Sequence, residues 1–256
     1  MQTWRLLDLE YADARSNLAL EEAVARQVGA GESPPTLRLW RNRRAAVIGE
    51  NQSANLELQL DACREFGVEV VRRFTGGGAV YHDLGNVNYS ICAPKPSPSS
   101  LDFTQTVFRP GLQCAVACLK TLGLDPTQVP VNTVIVHGRK ISGGAAAARW
   151  GAVLYHGSIL ANTDLDIIWK ILRRPQPPTA ASAARLVQST RLPVTSLKME
   201  LGREVAIDDV KRALKDAFTR TFNARLILAP PTEQELYRTA RLVNEKYGRD
   251  EWNLKM

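Results

Sequence analysis

Two short stretches of the chain gather residue types that can handle an anion. In RRFTGGGAVYHDLGNVNYS (72–90), two arginines end an apolar run, three glycines follow, and a strand pattern resumes. Gly76, Gly77 and Gly78 carry no Cβ, so their backbone can press against a ligand and offer N–H groups to a phosphate or a base. Arg72 and Arg73 add fixed positive charge suited to phosphate oxygens. The stretch is neither GxxxxGK[ST] nor GxGxxG ahead of a helix. The glycines alone fit a solvated hairpin. The arginine pair before them and His82-Asp83 after them turn the reading toward a site.

The second stretch is VNTVIVHGRKISGGAAAARWGAVLYHGSILANTDL (131–165). Lys140 follows a tight turn at His137-Gly138 and precedes Ile141-Ser142-Gly143-Gly144-Ala145, whose small residues leave room above the turn. A lysine placed there can touch a phosphate and a carboxylate oxygen together, and a preplaced ammonium stabilises charge developing on phosphate. A solvated surface lysine is the commoner fate of that residue type. His82 and His156 each follow a tyrosine on a strand, which suits pocket-lining or structural histidines better than acid–base groups. No Ser–His–Asp or Cys–His arrangement stands out by spacing.

These stretches need elements to hold them. Ser16 or Asn17 can cap a helix with Leu20, Val24 and Val28 on one face, ending at Gly29. TLRLW (36–40) and AAVIG (45–49) read as strands, as do VEVVRR (68–73) and NVNYSIC (86–92). Leu56, Leu60 and Cys63 suggest a short helix ending at Gly67. A helix over about 104–122 contains Pro110-Gly111 and should start late or kink. TVIVHG and GAVLYHGSILAN read as a strand pair joined across 139–151, and PKPSPSS (94–100) and RRPQPPTAAS (173–182) as loops. Two helices close the chain, one with the stripe Val210, Leu214, Phe218, Phe222, the other with Leu236, Ala240, Val243, Tyr247 and a Thr232–Glu235 capping box. The pattern predicts an α+β fold: a mixed central sheet flanked by helices, in one domain over residues 1–256.

The length of 256 residues and 23% charged content suit a soluble globular enzyme. No apolar run reaches the ~18–20 residues of a membrane span, and no export signal is legible, so a cytoplasmic address is expected. The net charge of +7 favours anionic partners. The basic residues are scattered, so no nucleic-acid partner is expected. Cys63, Cys92, Cys114 and Cys118 form no CxxC pair and no zinc spacing, and Cys114 and Cys118 should share the buried face of one helix.

RR-x-[ST]-GGGAV-[YF]-HDLGN, then GRKISG, then HG-[ST]-[IL]-L, resembles the lipoate–protein ligases of the biotin/lipoate ligase group. LRLWRN (37–42), VIGENQ (47–52) and KYGRDEWN (246–253) also fit, so the resemblance spans nearly the whole chain. It implies a fold akin to biotin ligases and class II tRNA synthetases. It implies ATP with Mg²⁺ and lipoate as substrates, and adenylation of lipoate followed by transfer to a lysine. By resemblance, Lys140 touches lipoyl carboxylate and α-phosphate and is the catalytic residue. Arg73 meets ATP phosphate, and Gly77, Gly78, Ala79, Val80 and Tyr81 form the nucleotide loop. Trp40 walls the acyl pocket, and Arg73, Gly78, His82, Gly143, Ala145 and His156 join Trp40 and Lys140 around lipoate. No protein-held metal site is implied.

Two departures stand out: Thr133 replaces a common aspartate, and Gly144 a common serine. The resemblance further implies lipoyl-domain acceptors (E2 subunits, a glycine-cleavage H protein or another lipoyl carrier). Because the chain stops three residues after EWN, it implies a separate small accessory subunit. Two rival readings are an octanoyltransferase of the same superfamily, with a cysteine nucleophile, and a non-catalytic lipoate-binding module. One transferase branch places its cysteine just ahead of the lysine turn, where residues 128–139 contain none.

Overall fold

In a computed structural model, residues 1–96, 107–130, 132–173, 189 and 192–255 are described. The expected loops at 94–100 and 173–182 fall mostly outside these residues, as do the first residues of the helix expected from about 104.

The chain begins with β1 (Gln2–Asp8), α1 (Ala14–Gly29), β2 (Thr36–Trp40) and β3 (Arg44–Ile48). The cap of α1 is Asp13, not Ser16 or Asn17: its carboxylate accepts the Ser16 N–H at 2.7 Å. Asn17 is drawn inward, donating to the Tyr11 carbonyl and the Asn42 side chain. The stripe Leu20, Val24, Val28 packs on the sheet as expected. The opposite face of α1 is buried too, because α8 (Glu233–Leu242) and the turn after it cover it, and it carries Glu22 inward to Lys246 and Tyr247.

The short helix expected before Gly67 is split into α2 (Ala54–Glu57) and α3 (Leu60–Glu65), with Leu56 exposed. Leu58 and Gln59 interrupt it, with the Gln59 N–H donating to the Ile171 carbonyl. β4 (Glu69–Arg72) and β5 (Val80–Asp83) flank β3 in a three-stranded sheet ordered β4-β3-β5. β6 (Asn86–Pro94) returns to the main sheet. Next come α4 (Arg109–Thr121), β7 (Thr127–Val129), β8 (Thr133–Val136), β9 (Arg139–Arg149) and β10 (Ala152–Leu160). Pro110 sits in the first turn of α4, where its missing N–H costs nothing.

Residues 139–149 are not a connector. They form β9, which pairs antiparallel with β8 on one side and β10 on the other, so β8 and β10 never meet. Its Gly-Ala-rich sequence has weak strand propensity, and the ladder on both sides supplies what the residues lack. Then follow α5 (Leu165–Ile171), α6 (Leu197–Leu201), α7 (Ile207–Phe222), β11 (Ala224–Leu228), α8 and α9 (Asp250–Asn253).

Among the described residues the main sheet runs β11-β1-β2-β6-β10-β9-β8-β7. β11, β1 and β2 are parallel and the other pairings antiparallel. The largest core lies between this sheet and the packed pair α4 and α7, and it includes Tyr89, Tyr155, Leu112 and the neighbouring thiols of Cys114 and Cys118. In α7 the predicted stripe holds. In α8 it does not: Leu236 and Ala240 face out, and Glu235 and Thr239 are buried instead. The cause is a buried ion pair, Arg5 to Glu235 at 2.5 Å, which turns that face inward. The Thr232–Glu235 capping box is present, and a π-helical turn at Val243–Tyr247 then buries Tyr247. Among the described residues no helix is long and apolar enough to cross a membrane.

Candidate functional site

Strand β4 delivers two consecutive arginines to different places. Arg72 turns away from the glycines and is fully buried. Its guanidinium donates to the carbonyls of Gly49, Glu50 and Gln52, and to those of Trp252, Asn253 and Lys255. The expectation that Arg72 meets phosphate is therefore corrected: its donors are spent clasping the C-terminal segment. Arg73 points into the glycine arc. Its Nη2 donates to the carbonyls of Gly76 (2.6 Å) and Gly78 (2.9 Å), its Nη1 to Val47, and its Nε to the Thr75 hydroxyl at 3.0 Å. Burial brings this guanidinium down to about 10, Glu21 opposing, so it stays charged. Gly77 has φ +88°, a conformation that favours glycine, and a Cβ there would meet Arg73 Nη2 at 3.0 Å. The Ala79 N–H donates to the Ser189 hydroxyl at 2.8 Å, which in turn donates to Glu57.

The lysine arrives from the other side. His137 (φ 48°) and Gly138 (φ 74°) make the two-residue turn between β8 and β9. The Lys140 N–H donates to the Pro193 carbonyl at 2.7 Å, and its carbonyl accepts from Thr195 N–H at 2.9 Å, which fixes its backbone. Its ammonium has no hydrogen-bond or ion-pair partner among the described residues, although burial and then Arg73 depress its pKa. A Cβ on Gly143 would lie 2.8 Å from Lys140 Nζ, so the small residue leaves the ammonium its place. Gly144, where a serine is common, faces the Tyr155 hydroxyl, which a Cβ would meet at 2.2 Å. Asn132 is stapled to β9 through Gly144 in both directions. Thr133 is buried and donates to Asn132 Oδ1.

The inner wall is polar and fully wired. Trp40 Nε1 donates to the Ser90 hydroxyl (3.0 Å), and Ser90 donates to Glu21 (2.5 Å). The other Glu21 oxygen pairs with His156 Nδ1 at 2.9 Å, and His156 Nε2 meets the Thr75 hydroxyl at 2.8 Å. Asn42 Oδ1 accepts from Asn17, so its amide nitrogen donates to His82 Nδ1 at 3.1 Å and the His82 proton sits on Nε2. Burial, then Arg73 and His156, hold His82 down to about 3, so the ring is neutral.

These elements enclose a cavity of about 230 Å³. Trp40, Arg73, Gly77, Gly78, Ala79, Val80, His82, Lys140, Gly143, Ala145 and His156 all line it, so nearly the whole predicted set converges. Tyr81 does not, because alternation along β5 points it to the opposite face. Sequence reading missed Leu18, Asn88, Gly157, Ser158 and Ser189 in the lining. Asn88, Gly157 and Ser158 stand inside the quoted motifs, Leu18 lies on α1, and Ser189 gave no signal. The described lining contains two permanent cations and no carboxylate. None of the four cysteines lines it. All four are buried, and burial lifts Cys63 to about 11 and Cys114 to about 12 and raises Cys92 and Cys118 too. A smaller apolar annex (Leu160, Ile168, Trp169, Leu172, Leu192, Val194) adjoins beside Lys140. Such a site can bind a carboxylate or phosphate at one end and an elongated apolar group at the other.

Comparison with known proteins gives a consistent result. Residues 13–219 match the family model described as lipoyl protein ligase A/B catalytic domain. The chain is 36% identical over 261 residues to lipoate-protein ligase A subunit 1 of Thermoplasma acidophilum, covering 98% of this chain and 96% of that protein. It is 33% identical over 273 residues to octanoyltransferase LipM of Symbiobacterium thermophilum, covering 98% of each. A structure of a bipartite lipoate protein ligase and its E2 lipoyl domain from T. acidophilum superposes with TM-score 0.85 at 34% identity, over 99% of this chain and 97% of that one. A lipoate-protein ligase A bound with ATP superposes with TM-score 0.82 at 33% identity, over 99% of each chain.

Proposed function

The chain belongs to the lipoyl protein ligase A/B catalytic-domain family, and from that premise we propose that it is an ATP-dependent lipoate–protein ligase. In this reading the lipoate carboxylate attacks the α-phosphate of ATP, pyrophosphate leaves, and an acceptor lysine then takes the lipoyl group from the mixed anhydride. The observation that carries it is Lys140: a part-buried ammonium with no partner among the described residues, in a cavity whose described lining holds a second cation and no acid. That charge is available to the α-phosphate and the carboxylate as negative charge builds between them. Arg73 shapes the glycine arc from Gly76 to Gly78 and adds positive potential beneath it. Trp40, Val80 and Ala145 give the acyl chain apolar walls. Burial of that chain contributes about 0.8 kcal/mol per methylene. Tyr81 acts behind the nucleotide loop rather than in it. The described lining offers no carboxylate, so Mg²⁺ would be held by nucleotide phosphate oxygens.

In the same reading the acceptors are lipoyl domains and the address is cytoplasmic, residues 1–256 are one catalytic domain, and, as the bipartite relative suggests, a separate small accessory subunit supports adenylation. Mass spectrometry of a lipoyl domain incubated with the chain, lipoate and Mg-ATP, with and without such a subunit, tests this. A lipoyl mass increment that needs ATP is expected. Full ATP-dependent activity of the chain alone would remove the need for the accessory subunit.

A second reading, octanoyl transfer without ATP, has support from the LipM relative. It needs a thiolate beside the acyl carbonyl. The four buried thiols outside the cavity weigh against it. Single Cys→Ser variants at 63, 92, 114 and 118 discriminate. Turnover per folded molecule should persist in all four, whereas loss of a nucleophile costs roughly 10⁴-fold or more.

A further inference from the structure

Glu21 does not itself line the cavity, yet it joins two of its walls. Burial pushes its carboxyl upward, but His156, Ser90 and Arg38 overcome this and keep it ionised, an acceptor only. One oxygen takes the Ser90 O–H, and Ser90 in turn accepts from Trp40 Nε1. The other must take the His156 Nδ1–H, and in a ring that carries one proton this leaves Nε2 as an acceptor. The Thr75 hydroxyl already accepts from Arg73 Nε, and its own hydrogen is free to go to His156 Nε2. With this assignment every hydrogen in the chain has an acceptor. With the opposite tautomer Glu21 would face a bare ring nitrogen and Thr75 would receive two donors.

We propose that Glu21 is a positioning residue that fixes the His156 tautomer and, through the Thr75 hydroxyl, the orientation of the Arg73 guanidinium that holds the glycine arc. Only its kinetic consequence rests on the ligase reading. Glu21→Gln keeps the shape of the side chain, but an amide cannot accept from both Ser90 and His156. With the amide NH₂ turned to His156 the ring proton moves to Nε2, reversing the direction of the bond to Thr75, and with it turned to Ser90 the Ser90 hydrogen loses its acceptor. Thr75→Val removes the link while leaving Glu21 and His156 paired.

The chain has three histidines, so ¹⁵N-histidine NMR resolves the tautomer directly. His156 should be Nδ1–H in the unsubstituted protein and in Thr75→Val. The Arg73 Nε–H, identified by its loss in Arg73→Lys, should exchange with solvent at least about tenfold faster in both variants, as expected once the shorter of its two bonds, to Thr75, is disturbed and the 3.2 Å bond to the Gly76 carbonyl is left. In lipoate-dependent pyrophosphate release, each variant should lower kcat about 10- to 100-fold by misplacing the arc, with KM for lipoate little changed. The double variant should be no worse than Thr75→Val, because one path is cut only once. An Nε2–H tautomer of His156 in the unsubstituted protein, an unchanged Arg73 exchange rate, or additive losses in the double variant would each overturn the proposal. If the unsubstituted chain releases no pyrophosphate, the ligase reading falls, and the two NMR measurements still decide the role of Glu21. If Glu21→Gln does not fold, Thr75→Val decides it by Arg73 exchange.

Discussion

Strand β5 separates two hollows of opposite character. Val80 and His82 face the cavity of about 230 Å³ that holds Lys140, and Tyr81 and Asp83 face a more open one of about 570 Å³. The larger hollow is acidic, with Asp13, Glu69, Asp83 and Asp164 around it. Its carboxylates are already occupied by local structure. Asp13 caps α1, Glu69 accepts the Ala14 N–H and pairs with Arg15, and Asp83 accepts the N–H groups of Gly85 and Asp164. The smaller cavity keeps its ammonium unengaged. Charge held back from the fold, rather than volume, marks the place where a ligand completes the structure.

The sharpest break of this comparison is Lys140→Ala, which should cost roughly 10²–10³ in adenylation rate, as does loss of a preorganised donor at developing charge. Its thermal melt should barely move, since the ammonium supports nothing in the fold. Near-normal turnover would erase the distinction between the hollows. Next in size is a contrast within the glycine side. Arg72→Ala strands buried carbonyls from Gly49 to Lys255 and should destabilise by at least about 3 kcal/mol. Arg73→Ala should lower turnover further below its folded fraction than Arg72→Ala does. Melts read alongside rates per folded molecule check the order.

His82 sharpens the comparison through pH. Its folded pKa of about 3 lies below the ordinary 6.5, so between these values the unfolded chain binds the proton and the folded one does not. Stability should therefore fall as pH drops through that window, by on the order of a few kcal/mol in total, and His82→Asn should flatten the acid limb. A denaturant series from neutral to acidic pH measures it, and an unchanged limb would move the charge to another group. The smallest effect is expected from Arg43→Ala in the acidic hollow, with turnover within about twofold of the unsubstituted chain, as for a surface change away from such features. A large loss there would make the second hollow part of the site.

Local order fixed much in advance. Period-two alternation marked the strands around the glycines, and the spacing RR-x-T-GGGAV and HGRKISGG pointed to Arg73, Gly77, Gly78, Ala79, Val80, Lys140 and Gly143 in the lining. The Thr232–Glu235 box and the His137-Gly138 turn involve neighbours in sequence, so they too were legible. The residues left unread are those whose partner arrives from far along the chain. Arg72 and Arg73 are chemically identical in sequence, and only Trp252, 180 residues later, makes one a clasp while the other holds the arc. Arg5, 230 residues before Glu235, turned the helix stripe outward. Residues 139–149 became a strand only because β8 and β10 bracket them. Glu21 looked like one more charge on a helix until Ser90 and His156 closed on it. Propensity and spacing are properties of a short segment. The free energy of a buried charge depends on its whole surroundings, and those exist only once the sheet has assembled.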